Sequence, residues 1–320
     1  MRFSSGKGVN SISKILLAMN KIVVCIPTYK RPEMLKSLVI SILECNINKS
    51  LIDDFDIVIV DNDADKTAES AVKELQEKHG AEHKIEYFAY PVKGLSNVRN
   101  ELINVGLTLN PDFLIFVDDD EFVSAGWMNE MVSTIISNEG DLVMGPVRSV
   151  IKKRVPVSIS CWLDRPEYPD NTRLYFIRSG NLIVKVSSLL EYGVRFDPRF
   201  NKTGGEDSYF GLKMIQKGAS IFWAANAIAY ENVPDNRATI KWISKRFYNG
   251  ANKYAFILRL EKNLSKRIKK LFVSFFYLFV GAIASVMALF PFRKRYWGIL
   301  KMNEGLGGIA GFLNLRYNEY

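Results

Sequence analysis

The sequence predicts an α/β fold, a mostly parallel, doubly wound sheet flanked by helices, followed by a C-terminal helical region associated with a membrane. Three observations predict it. Apolar runs alternate with helical patterns from position 21 to 147, the signature of a parallel sheet with crossover helices. Phe113–Val117 is five apolar residues without alternation, which fits a strand buried on both faces, and it runs straight into Asp118-Asp119-Asp120-Glu121. Residues 271–292 carry no charge over 22 positions, enough to cross a bilayer core.

In chain order, residues 21–27 form a first buried strand, and Pro32 suits the first turn of a helix running to about Cys45. The loop between them, Thr28-Tyr29-Lys30-Arg31, has no glycine, so the Gly-x-Gly-x-x-Gly fingerprint of a dinucleotide fold is missing where it belongs. Residues 56–60 make a second strand ending in Asp61-Asn62-Asp63, followed by a charged helix from about Thr67 to Lys78. Residues 85–90 are a third strand. Gly94 to Asn100 then opens a helix with Ser96 or Asn97 as N-cap, which puts Arg99 in first turns where the dipole disfavours a cation. Either Arg99 points into solvent or an anion lies near it.

After Phe113–Val117 come a helix at 127–137 and a strand at 142–147. Residues 148–180 show no periodicity and are expected to be a loop system beside a cleft. A short strand at 181–184 precedes Gly204-Gly205, whose freedom to turn sets Glu206-Asp207 at the start of a helix to Lys217. First-turn capping alone would also account for that acid pair. A strand at 221–223 leads to Tyr230-Glu231-Asn232-Val233-Pro234.

The 320 residues, 48% hydrophobic, suffice for a full core in one large domain or two smaller ones. Lys and Arg outnumber Asp and Glu by 43 to 34, but the excess is regional: residues 241–270 hold ten basic side chains against Glu261 alone. That tract runs directly into the uncharged stretch, so its expected partner is anionic lipid and not nucleic acid. Residues 239–260, with Trp242, Phe247, Tyr254 and Phe256 among the cations, fit an interfacial helix. Basic flanks favour the N-terminal side of 271–292 in the cytosol, and a hairpin or in-plane helix with both ends cytosolic stays open. Cys25, Cys45 and Cys161 have no metal-like spacing and leave an odd number, which points to a reducing compartment. The expected plan is an N-terminal extension (1–18), an α/β domain (19–237), a basic amphipathic segment (238–270), a membrane helix (271–292) and a tail (293–320).

Carboxylates crowded at a strand's end repel one another and resist burial, so they call for solvent, a cation or a cationic ligand there. Alone, Asp118-Asp119-Asp120 is equally consistent with a solvated acidic turn. Acids at several strand ends, a Glu-Asp pair further on and a membrane anchor narrow the choice. Hard oxygen ligands suit Mg²⁺ or Mn²⁺ bound together with substrate phosphates, and such a metal stabilises a diphosphate leaving group. A separate carboxylate can take the proton of an attacking hydroxyl. That combination describes glycosyl transfer from a nucleotide sugar.

The series Ile26-Pro27-Thr28-Tyr29-Lys30-Arg31, Val60-Asp61-Asn62-Asp63, Gly94 through Arg99-Asn100, Val117-Asp118-Asp119-Asp120-Glu121 and Gly204-Gly205-Glu206-Asp207 resembles glycosyltransferase family 2 in order and spacing over 21–235. With Glu231-Asn232-Val233-Pro234, it resembles the bacterial exopolysaccharide branch near the succinoglycan glucosyltransferases. The resemblance implies an inverting enzyme of the GT-A fold. It would move a sugar from a nucleotide-diphospho-sugar, a UDP-sugar first among them, to a lipid-linked saccharide acceptor. Its place would be the cytoplasmic face of the inner membrane, among other polysaccharide-assembly enzymes. Pro27, Tyr29 and Arg31 would line the nucleotide pocket, Tyr29 stacking on the base, and Asp61 would accept a hydrogen bond from a uracil-type ring. Arg99 would help hold the nucleotide, and Asp118 and Asp119 would contact the ribose or the metal's outer shell. Asp120 would bind Mg²⁺ or Mn²⁺, Asp207 would be the catalytic base, and Glu206 would position the acceptor. Many relatives carry a further metal-ligating histidine near Glu231, but His79 and His83 lie elsewhere in the chain. Glu231 either replaces that histidine or is a loop carboxylate without the role. A sugar nucleotidyltransferase is disfavoured by the glycine-free first loop, and an inactive membrane scaffold by the presence of both Asp120 and Asp207.

Overall fold

The computed structural model describes residues 20–315. The expected N-terminal extension and the last five residues of the tail lie outside them. The chain forms β1 (Asn20–Thr28), α1 (Pro32–Leu43), β2 (Ile52–Asp61), α2 (Glu69–His79), β3 (Ile85–Ala89), α3 (Leu95–Thr108) and β4 (Phe113–Val117). It continues with β5 (Glu121–Val123), α4 (Trp127–Ser137), β6 (Leu142–Met144), β7 (Val147–Ile151), the single-turn α5 (Val157–Ser160), β8 (Arg173–Leu174) and β9 (Asn181–Lys185). Then follow α6 (Val186–Tyr192), α7 (Glu206–Gln216), β10 (Ile221–Trp223) and β11 (Ala229–Val233).

The large sheet has the order β3-β2-β1-β4-β9-β6-β10-β8, with β9 and β8 running against the rest. Its strands are apolar on both faces because helices cover both. Ile22, Val24, Ile57 and Ile59 pack on one side with Leu35, Leu38, Trp127 and Met131. Val23, Cys25, Val58 and Val60 pack on the other with Val98, Leu102, Phe210 and Trp223. Pro32 starts α1, where its missing N–H costs nothing.

Two expectations change at the C-terminal edge of this sheet. The acid run does not stay a turn: Glu121 opens β5, which joins β11 and β7 in a second sheet where Glu121 stands directly opposite Glu231. The strand expected at 142–147 breaks at Gly145-Pro146. Pro146 cannot donate to a ladder, and a Cβ on Gly145 would lie 2.3 Å from the Ala227 carbonyl oxygen. The chain therefore leaves the large sheet after β6 and enters the second one as β7, which extends through the first residues expected to be loop.

Three helices close the described chain: α8 (Ile240–Leu260), α9 (Leu264–Ala284) and α10 (Trp297–Phe312). Thr239 and Asn263 cap the first two, accepting from the backbone N–H of Trp242 and Lys266. The long apolar helix thus begins at Leu264, before the uncharged stretch does, and ends in a 3₁₀ turn at Ser285–Leu289. Helix α10 packs along both α8 and α9 at backbone contact distance. A Cβ on Gly307 would meet the Tyr248 carbonyl oxygen at 2.0 Å, and one on Gly281 the Met302 amide at 2.4 Å.

The aromatic residues of α8 correct the expectation of a lipid-facing helix. Phe256 is buried against Phe200, and Trp242 and Phe247 pack into a cluster with Leu163 and Ile243, leaving Tyr254 exposed. The exposed apolar surface lies instead on α9, at Phe272, Phe275, Phe276, Phe279 and Ile283, where only Ser274 and Gly281 are buried.

Candidate active site

Side-chain contacts join the C-terminal ends of β1 and β4 to the N-terminus of α7. Buried Asp119 ties the β1 loop down. Its Oδ2 accepts from the Thr28 hydroxyl at 2.9 Å and the Tyr29 backbone N–H at 3.3 Å, and its Oδ1 from Arg31 Nη1 at 2.9 Å. The same Nη1 reaches Asp120 Oδ2 at 2.9 Å. Asp119 and Arg31 are therefore mutual partners that shape the loop. Tyr29 is left 46% exposed, with Lys30 5.5 Å from its ring centroid.

Two expected nucleotide contacts sit elsewhere. Pro27 is buried within β1, paired with Val60, and offers no surface to a pocket. Asp61 is fully buried, accepting from the backbone N–H groups of Asp63 and Ala68 and, at 2.9 Å, from the Tyr87 hydroxyl. With those partners it folds the β2 loop and presents no acceptor to a base.

Arg99 resolves its two alternatives in favour of an anion, and the protein supplies two. Its guanidinium is buried, donating from Nη1 to Glu206 and from Nη2 to Asp118 Oδ1 at 3.0 Å. The cap of α3 is Gly94 at φ 127°, not Ser96 or Asn97, and the Ser96 hydroxyl donates to the Asp197 carbonyl instead. Gly204 and Gly205, at φ 68° and 93°, make the left-handed turn that sets Glu206 inward and Asp207 half-exposed at the start of α7. Burial pushes the Glu206 carboxyl up to about 7 against the pull of Arg99. Glu206 is thus bound to Arg99 inside the protein, which makes it a support for the cleft wall in place of the expected acceptor contact. Asp207 Oδ1 accepts from the Ser208 backbone N–H at 2.6 Å, and nothing among the described residues donates to its Oδ2.

The remaining acids form a strongly negative group. Burial and the charges of Asp118 and Glu231 push Asp120 up to about 6. Glu121 is wholly buried, lies well above the usual carboxylate range because of that burial, and has no hydrogen-bond partner at Oε2 among the described residues. Both oxygens of Glu231 are engaged, Oε2 by Arg165 Nη2 at 2.8 Å and Oε1 by Arg237 Nη1 at 3.3 Å. Arg237 also stands 3.5 Å from Asp120.

For a divalent cation, the donor set is hard oxygen, and no three His, Cys, Asp or Glu side chains converge at ligand spacing among the described residues. Mg²⁺ commonly takes one or two carboxylates, with substrate phosphates and water completing the shell. Asp120 fits that requirement: besides burial, the charges of Asp118 and Glu231 raise its proton affinity, and a cation would relieve that repulsion. Arg31 and Arg237 already stand at its Oδ2, as Arg165 and Arg237 do at the two oxygens of Glu231.

A family model for Glycosyl transferase family 2 matches residues 23–187, more than half of the chain. The chain belongs to glycosyltransferase family 2. This transferase is 29% identical over 298 residues, 91% of its length and 93% of the relative's, to the succinoglycan biosynthesis protein ExoM of Rhizobium meliloti (strain 1021). Among solved structures it is similar to S. aureus TarS residues 1–349 in complex with UDP-GlcNAc, at TM-score 0.52 and 16% identity over 93% of both chains. It spans only 55% of a longer TarS structure, at TM-score 0.53. It is also similar to GalNAc-T7 with UDP, GalNAc and Mn²⁺, at TM-score 0.54 and 16% identity over 75% of this chain and 48% of that one. These likenesses show a GT-A-like fold for the transferase.

Sequence patterns alone missed Arg165 and Arg237, the first in the stretch without periodicity and the second just before a basic tract assigned to lipid.

Proposed function

We propose that this transferase moves a sugar from a UDP-sugar to a lipid-linked saccharide in bacterial exopolysaccharide assembly, inverting the anomeric centre. The observation that carries this is the Asp118–Arg99–Glu206 bridge. It ties the acid-ended edge of β4 to the N-terminus of α7, where Asp207 follows Glu206. The likeness to TarS in complex with UDP-GlcNAc supports a UDP-sugar donor, and the likeness to the succinoglycan biosynthesis protein ExoM supports a part in exopolysaccharide assembly.

The exposed face of Tyr29 can stack on the base, and Asp118, its side chain 37% exposed, can accept from a ribose hydroxyl. Asp120 would hold Mg²⁺ or Mn²⁺, which when bound neutralises charge on the departing diphosphate. Asp207 takes the proton of the acceptor hydroxyl as that oxygen bonds to the anomeric carbon and the bond to the diphosphate oxygen breaks. An α-linked donor gives a β-linked product. A carboxylate is a weak base for a hydroxyl, so positioning and electrostatics carry much of the rate.

The test is donor binding by purified protein with Mg²⁺ or Mn²⁺ across UDP-, GDP- and dTDP-sugars. The expected result is metal-dependent binding of a UDP-sugar that Asp120→Ala loses. Binding of none of them would favour the inactive scaffold.

The exposed apolar face of α9 supports a seat on a membrane, taken here as the cytoplasmic leaflet of the inner membrane with the helix lying in its plane. The opposite face of α9 is committed to α10, which carries the Lys301–Glu304 ion pair, so a spanning α9 would draw those charges into lipid. Phe275→Glu combined with Phe279→Glu should lower partitioning into anionic vesicles more than about tenfold, each phenylalanine being worth about 2 kcal/mol of burial. Unchanged retention in carbonate-washed membranes would contradict the in-plane placement.

A further inference from the structure

Four guanidinium groups, those of Arg165, Arg178, Arg237 and Arg246, gather around Glu231. Arg165 and Arg178 line one small cleft together with Asn181 and Trp223. Arg246 enters the same field from α8, its Nη1 3.5 Å from the Leu163 carbonyl oxygen and its guanidinium 5.5 Å from the Trp242 ring. Arg178 lies over the Phe176 ring at 5.5 Å. Glu231 pairs with Arg165 and Arg237, and among the described residues no carboxylate forms an ion pair with Arg178 or Arg246. Burial and the neighbouring arginines lower Arg246 to about 10, and burial with Arg165 lowers Arg178. Partly desolvated guanidinium groups such as Arg178 and Arg246, which lack a direct ion-pair partner among the described residues, are costly unless an anion arrives to share them. Their planar forks suit the paired oxygens of a phosphoryl or carboxylate group.

We propose that Arg165, Arg178 and Arg246 form an oxyanion subsite on the acceptor side of the cleft, one that reads a negatively charged group near the attacking hydroxyl. This rests on the transferase reading above. Placement on the acceptor side follows from Asn181, which lines the same cleft and pairs with Val117 at the acid-ended edge of β4, and from α8, which carries Arg246 and packs through α10 onto the apolar-faced α9. The shared chemistry is an oxyanion, from either the diphosphate of a short lipid-linked acceptor or the acid group of an acceptor sugar.

The experiment titrates inorganic phosphate and D-glucuronate separately into wild-type protein saturated with UDP and Mg²⁺, followed by NMR. At least one anion should bind while UDP stays in place, phosphate marking the carrier diphosphate and glucuronate an acid sugar. Arg178→Gln and Arg246→Gln should each weaken that anion at least about tenfold, the worth of a charged hydrogen bond, with UDP affinity kept within about twofold. Arg178→Lys should recover part of the loss, and thermal melting confirms folding. Anions that bind only by displacing UDP, or variants that lose UDP affinity equally, would overturn the subsite and give these arginines to the donor diphosphate. Absence of binding by either anion would overturn it too. Failure of wild-type protein to bind UDP at all would count against the transferase reading, and the same titration without UDP would then decide the subsite by itself.

Discussion

Asp207→Asn is expected to abolish measurable transfer, lowering kcat by about a hundredfold to ten-thousandfold, the range spanned by general-base catalysis. The amide keeps the shape of the side chain but cannot take a proton. Ser208 can still donate to the remaining oxygen, so α7 keeps its first turn. None of the β1 loop or strand-edge acids hydrogen-bonds to Asp207, so nucleotide affinity should stay within about twofold of wild type, well under the energy of one hydrogen bond. Steady-state transfer and calorimetric UDP binding check both halves. Turnover at the wild-type rate would remove the base assignment.

Arg99→Met carries the largest expected loss of stability, about 3–5 kcal/mol, because one change strands a buried carboxylate. The side chains of Arg99 and Glu206 are 3% and 4% exposed, so their pair gets no relief from solvent. Asp118 is far more open and contributes less. The loss should depend on pH with a definite sign. Burial already raises Glu206 to about 7, above its ordinary value, and without Arg99 it rises further. The folded variant therefore binds a proton that the unfolded chain, with its ordinary value of 4.5, releases, so its stability is greatest in acid and falls as pH rises from there through the raised folded value above 7. Thermal unfolding from pH 5 to 9 reads this, and a rising curve would contradict it. Arg99→Met with Glu206→Leu should recover most of the loss, since removing both charges leaves neither unpaired.

Much of this was legible in the chain. Unbroken apolar runs at β1, β2 and β4 could only be strands covered on both faces, and the acids after them marked the edge where the cleft lies. Two glycines before Glu206 announced a left-handed turn. What could not be read was the pairing. Asp119, Asp61 and Pro27 look like surface motif residues in sequence, yet each is buried: Asp119 holds the loop that carries Tyr29, Asp61 folds the loop after β2, and Pro27 lies within β1. Arg99 and Glu206 stand 107 positions apart, and no local pattern tells a buried bridge from a nucleotide contact. The aromatic residues of α8 had the composition of a lipid-facing helix, but a helix packed against Phe200 and Leu163 needs the same residue types. Only the three-dimensional partner distinguishes them.

The most direct test of the central claim is the anomeric form of the sugar first released when the purified protein slowly hydrolyses its bound UDP-sugar with Mg²⁺ present, followed by proton NMR before mutarotation. Single displacement across the Asp207 cleft predicts that an α-linked donor first yields the β sugar. First appearance of the α sugar would contradict it.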